Sequence, residues 1–121
     1  MARQDIVWVI DDDRSIRWVL EKALTQADMA VTTFDSANDI ADLLERQRPD
    51  VVISDIRMPG ISGLELLKTI HARAPEIPVI IITAHTDLES AVASYRGGAF
   101  EYLPKPFDVD EVLSVATRAL E

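Results

Sequence analysis

The chain has 121 residues, 48% of them apolar, no cysteine, and 12 basic against 21 acidic side chains for a net charge of −9. That describes one globular domain with a core of its own, and it excludes a disulfide framework and a zinc–thiolate centre. The acidic balance argues against nucleic-acid binding by this segment, and no apolar run approaches the roughly 20 residues that span a bilayer.

Residues 1–5 lack the apolar region of a secretory signal, so a cytoplasmic setting and no membrane association are expected. Ile6-Val7-Trp8-Val9-Ile10 then reads as a buried strand that runs into Asp11-Asp12-Asp13. A helix over about 15–27 follows, with Ile16, Leu20, Ala23, Leu24 and Ala27 at the spacing of one buried face; Trp18 falls off that stripe and is expected to be half-exposed. Residues 29–34 alternate as a shorter strand. Ser36 is placed to cap a second helix with a core face of Ala37, Ile40, Leu43 and Leu44, ended by Arg48-Pro49.

Residues 50–55 form the central strand, an apolar run that carries Asp55 into a turn set by Pro59 and Gly60. Ser62-Gly63-Leu64-Glu65 is a capping box for a third helix that stops at Ala74-Pro75. Residues 78–82 make a fourth apolar strand and deliver Thr83 to its end. Thr86-Asp87-Leu88-Glu89 is a second capping box, for a helix running to Gly97-Gly98. Its body is rich in Ala and Ser, and Leu88, Val92 and Tyr95 are its only bulky apolar residues, so it should be weakly anchored. Residues 99–103 are the fifth strand, carrying Tyr102 into Pro104-Lys105-Pro106. The last helix starts at Asp108, with Glu111 three residues on, and buries Val109, Val112, Leu113, Ala116 and Leu120.

Five strand–helix units with right-handed crossovers give an α/β fold, a doubly wound, five-stranded parallel sheet with helices on both faces. The flavodoxin-like order 2-1-3-4-5 sets strands 1 and 3 side by side, and ligands in such sheets bind beyond the carboxyl ends of the strands. Asp11, Asp12 and Asp55 then converge, and Thr83 and Lys105 arrive from strands 4 and 5.

Taken singly, each of these residues has a plain explanation. Asp13 reads as a helix cap, Asp55 as a turn residue, Thr83 as a local hydrogen-bonding group and Lys105 as a solvated loop lysine. Together they are complementary. Clustered carboxylates repel unless a proton or a cation neutralises them. An all-oxygen ligand set suits a hard cation, Mg²⁺ best, because it is commonly held by one or two carboxylates, water and a phosphate. Lys105 supplies a compact positive charge and Thr83 a hydroxyl donor, which leaves Asp55 as the nucleophile toward phosphorus. His71 and His85 read as surface residues with no catalytic part.

On Asp11-Asp12 after strand 1, Asp55 after strand 3, Thr83 after strand 4 and Lys105-Pro106 after strand 5, the chain resembles the receiver domain of bacterial two-component response regulators along essentially its whole length. The stretches 7–13, 15–20, 54–60 and 99–107 bring it nearest to the nitrogen-regulation branch of that family. The resemblance implies that Asp55 accepts a phosphoryl group from a phosphohistidine on a sensor histidine kinase (NtrB-like). It implies Mg²⁺ held by Asp12, Asp55 and the main-chain carbonyl of Arg57, with Asp11 acting largely through water; the Asp11–Asp13 triplet leaves open whether Asp13 also approaches the metal. Thr83 and Lys105 would contact the phosphoryl oxygens, and Lys105-Pro106 is a cis peptide in many such domains. Thr83 moving inward would vacate space for the Tyr102 ring and shift the fourth helix.

The same resemblance implies a regulatory phosphoacceptor that promotes its own phosphotransfer and dephosphorylation, not a turnover enzyme. Its partners would be its own AAA+ output domain, working with sigma-54 polymerase, or a second receiver as dimer partner. Residues 1–121 are expected to be the N-terminal regulatory piece of a longer protein, without the AAA+ and DNA-binding domains. Two other readings fit less well. A dehalogenase-type phosphatase wants an Asp two residues after its nucleophile, where Arg57 stands, and a flavodoxin wants a Ser/Thr/Gly-rich first loop, where three aspartates would repel a flavin phosphate. A receiver-like interaction module that is never phosphorylated is the third, and none of the chemical groups for phosphorylation is missing here.

Overall fold

The apolar runs form five parallel strands, β1(Ile6–Ile10), β2(Ala30–Phe34), β3(Val51–Asp55), β4(Val79–Ala84) and β5(Glu101–Lys105), in the order β2-β1-β3-β4-β5. The structure is a computed structural model and describes residues 4–84 and 88–121. Five helices connect and follow the strands: α1(Arg14–Gln26), α2(Ile40–Leu44), α3(Gly63–Arg73), α4(Leu88–Arg96) and α5(Val109–Ala119). This is the expected flavodoxin-like arrangement.

The pleat sorts each strand's side chains alternately to two cores. Trp8, Ile10, Val52, Val79 and Ile81 pack with Ala37, Ile40, Leu44, Leu66, Leu67 and Ile70 from the α2 and α3 side. Val7, Val9, Val51, Ile53, Ile80 and Ile82 pack with Leu20, Leu24, Val112, Val115 and Ala116 of α1 and α5. Because β1, β3 and β4 are covered on both faces, they read as continuous apolar runs. Trp8 stacks edge-on against Phe34 at 5.5 Å between ring centres.

Capping chemistry fixes where the helices start. Asp13 accepts from the backbone N–H groups of Ser15 and Ile16, and both the Ser62/Glu65 and Asp108/Glu111 capping boxes form. Four expectations need correcting. Ser36 does not cap α2: its Oγ meets the N–H of Asn38 at 3.4 Å, a local turn, and the helix is a short segment starting only at Ile40. Strand β5 lies two residues later than expected, because Pro104, lacking an N–H, is tolerated on an edge strand that pairs on one side only. Ala27 is exposed at the α1 C-cap, not buried. In α4, Val92 and Tyr95, expected as its anchors, are 45% and 50% exposed, while Ser94 is fully buried. The Thr86–Glu89 capping box includes Thr86 and Asp87, and with His85 these lie outside the described residues. Trp18 is exposed, with the Lys22 ammonium 4.9 Å over its ring.

Candidate phosphoryl-transfer site

A parallel sheet brings all its carboxyl ends to one edge. The β1–β3 register pairs Ile10 with Ser54, so Asp11, the next residue, comes beside Asp55. The β3–β4 register pairs Asp55 with Ile82, and the β4–β5 register sets Thr83 against Pro104 and Ala84 against Lys105. Carboxylate oxygens of Asp11, Asp12 and Asp55 lie within 4.8 Å of one another. The Lys105 ammonium sits 3.4 Å from Oδ2 of both Asp11 and Asp55. Thr83 is buried, Asp12 is exposed, and Arg57 is exposed two residues past Asp55. Asp13 is occupied by its capping bonds. The peptide bond between Lys105 and Pro106 is cis.

Backbone donors hold the two buried carboxylates in place. Asp11 Oδ1 accepts from the Asp13 N–H at 2.8 Å, and Asp55 Oδ1 accepts from its neighbour Ile56 at 2.9 Å. Arg17, one turn into α1, donates to the Asp11 carbonyl at 2.7 Å and so ties the acidic loop to the helix. Nothing in the sequence marks Arg17 for this task beyond its place on the first turns of α1.

Burial is the main cause that raises the pKa of both Asp11 and Asp55 above the ordinary carboxylate value. The Asp13 N–H and then Lys105 pull Asp11 back down while Asp55 pushes it up; for Asp55, Lys105 and the Ile56 N–H oppose burial and Asp12 adds to it. Both acids therefore favour the proton more in the folded chain than in the unfolded one. Their contribution to stability is highest near and below the ordinary value of 3.8 and is lost as pH rises through the raised folded-state value. In chelated buffer, Asp11→Asn, which keeps an acceptor for the Asp13 N–H, is expected to gain stability relative to the parent as pH is raised from the ordinary value of 3.8 upward. Urea midpoints across that range check this; a gap that narrows as pH rises would contradict the raised pKa.

The cluster suits a hard divalent cation. Its donors are all oxygen, and Asp11 Oδ2 is buried and accepts no hydrogen bond among the described residues.

A second cluster joins α4 to the far edge of the sheet. The Tyr95 hydroxyl donates to Glu101 Oε1, the Tyr102 N–H donates to the same oxygen at 3.1 Å, and Arg118 of α5 pairs with Glu101 Oε2 at 3.3 Å. The Tyr95 hydroxyl is the main cause holding the Glu101 carboxyl below its ordinary pKa. The Tyr102 ring lies 6.5 Å from that of Tyr95, tilted by 60°. Sequence reasoning found Tyr102 but missed Glu101, whose role depends on contacts to two other helices.

Residues 7–117 match the family model of the response regulator receiver domain. The chain is 57% identical over 118 residues to the DNA-binding transcriptional regulator NtrC of Klebsiella pneumoniae, covering 98% of this chain and 25% of that protein. It thus spans about a quarter of the length of such curated relatives. Among solved structures, the apo receiver domain of nitrogen regulatory protein C is similar, at 55% identity over 98% of this chain and 96% of that one, with a TM-score of 0.88. The BeF3-activated form of that domain, at the same identity and coverage, gives 0.83. Strand order, converging aspartates and sequence agree: this chain belongs to the response regulator receiver domain family.

Proposed function

We propose that this chain is a phosphoacceptor receiver of the NtrC type, in which Asp55 takes a phosphoryl group from a phosphohistidine on a sensor histidine kinase. The observation that carries the reading is Asp55 itself, a strand-end carboxylate 3.4 Å from a lysine and flanked by two further aspartates. An Asp55 oxygen attacks phosphorus in line, the P–O bond forms as the P–N bond breaks, and the departing imidazole keeps the electron pair. Lys105 moves from bridging two carboxylates to holding a phosphoryl oxygen, and Thr83 donates its hydroxyl to another. Asp12, Asp55 and the Arg57 carbonyl are the proposed Mg²⁺ ligands, with Asp11 acting through water. Bound there, Mg²⁺ would offset the clustered carboxylates and the charge of the transferring phosphoryl group.

In this reading Thr83 and Tyr102 are the switch pair and α4 is the element they move, in a chain that acts in the cytoplasm. No helix among the described residues is long and apolar enough to cross a membrane. The exposed Val92 and Tyr95, with Ser94 turned inward, support a helix with little holding it in one position. Control of a sigma-54-type AAA+ output domain or of receiver dimerisation belongs to the proposal, given how much longer the relatives are.

The test is intact-protein mass spectrometry after incubation with acetyl phosphate. The expected result is one added phosphoryl group that needs Mg²⁺ and is released by hydroxylamine. No gain, or a gain stable to hydroxylamine, would overturn the acyl-phosphate reading.

The Glu101 cluster is the tether that α4 must loosen. Glu101→Ala removes the acceptor for Tyr95 and Tyr102 and the partner of Arg118, at a cost of about 1 kcal/mol for a partly exposed site. Amide exchange over residues 88–96 is expected to speed up roughly fivefold, the equivalent of that free energy. Unchanged exchange would show that α4 is held elsewhere.

A further inference from the structure

The loop between β3 and α3 carries Arg57, and the structure closes it at its base, where the Gly63 N–H donates to the Ile56 carbonyl at 2.8 Å. Its apex is held from a different part of the chain. Asn38, in the connection between β2 and α2, accepts from the Ile61 N–H through Oδ1 at 3.2 Å, across 23 residues of sequence. The Asn38 amide lies directly over Gly60, where a Cβ would come within 2.6 Å of Oδ1; Gly60 has φ +80° and no side chain to stand in the way.

From this juxtaposition we infer that Asn38 is a positioning residue for the phosphoryl-transfer site, acting through the 57–62 loop on the Arg57 carbonyl. The inference rests on the phosphoacceptor reading above. A carbonyl ligand has no side-chain freedom, so its direction is set by the backbone on either side of it. On the Asp55 side that backbone is fixed by the strand; on the other it runs through Pro59 and Gly60 to Ile61, and Asn38 supplies the cross-loop hydrogen bond there. Asn38 is itself exposed and uncharged, so it acts on geometry and not on charge. A single net hydrogen bond of ordinary strength corresponds to roughly a 3- to 10-fold change in an equilibrium it biases.

The experiment compares the parent chain, Asn38→Ala and Asn38→Asp, titrating Mg²⁺ by amide chemical shifts and following exchange of the Ile61 amide proton in metal-free buffer. Asn38→Ala should expose the Ile61 amide and weaken Mg²⁺ binding roughly 3- to 10-fold, with the thermal midpoint little changed. Asn38→Asp, which keeps the acceptor oxygen, should restore Ile61 protection. Parent-like Mg²⁺ affinity in Asn38→Ala, despite an unprotected Ile61, would overturn the positioning role alone. Absence of Mg²⁺ binding in the parent chain would instead overturn the phosphoacceptor reading, and this inference with it.

Discussion

Asp55→Asn is expected to abolish phosphorylation and, in metal-free buffer, to raise the melting temperature by roughly 3–6 °C, equivalent to about 1 kcal/mol in a domain of this size. Asp55 is 7% exposed and shares its surroundings with the still more buried Asp11. Burial opposes the charge on both carboxylates, and one Lys105 ammonium serves the two. Asparagine keeps an acceptor for the Ile56 N–H and removes one of the two charges, while Lys105 keeps Asp11. The stabilising terms lost are therefore smaller than the repulsion and desolvation relieved. Calorimetry with chelator, beside mass spectrometry with acetyl phosphate and Mg²⁺, checks both halves. A lower melting temperature would mean that Lys105 outweighs burial at Asp55. A retained phosphoryl group would move the acceptor elsewhere, and a retained shift of amide resonances over residues 88–98 would separate the α4 motion from Asp55.

The cost of burying those carboxylates explains which parts of the candidate site were legible beforehand. Aspartates that close apolar strands are poor choices for stability, so Asp11 and Asp55 stand out against the runs that precede them. The sheet order then makes them neighbours, and Lys105 follows from the fifth strand. Positions fixed by contact between distant segments leave no such mark. Asn38 looks like any polar loop residue, and Glu101 like a charge within the fifth strand. The anchors of α4 were misread for a related reason: Val92 and Tyr95 are among its few bulky apolar residues, but nothing in so short an Ala- and Ser-rich helix says which side faces in. Burial of Ser94 settles it. The start of α2 was misread because Ser36 bonds locally, a use of serine as common as capping.

Gly63 carried a signal of a different kind, and it leads to the second large effect. Glycine is a poor choice at the first position of a helix, and the capping box around it reads equally well with alanine. The structure supplies the reason: a Cβ on Gly63 would lie 2.1 Å from the Asp55 carbonyl oxygen and 2.8 Å from the Ile56 Cα. Both are backbone atoms at the end of a buried central strand, where no side chain can rotate away. Gly63→Ala should therefore cost about 2–4 kcal/mol through overpacking, against a gain of at most about 1 kcal/mol from helix propensity and the stiffer unfolded chain. The strain falls on the peptide that carries Asp55, so phosphorylation should slow by tenfold or more in the fraction that stays folded. Gly97→Ala is the matched control. Its Cβ would meet Leu67 Cδ2 at 3.0 Å and the Ala93 carbonyl oxygen at 3.3 Å, contacts that a shift of a few tenths of an ångström relieves, and it should cost about 1 kcal/mol, less than Gly63→Ala. Denaturant midpoints for the two variants, with acetyl-phosphate labelling rates, separate the cases. If Gly63→Ala proved as stable and as reactive as Gly97→Ala, the close approach of α3 to the Asp55 peptide would not be what holds the Asp55 carboxylate in place.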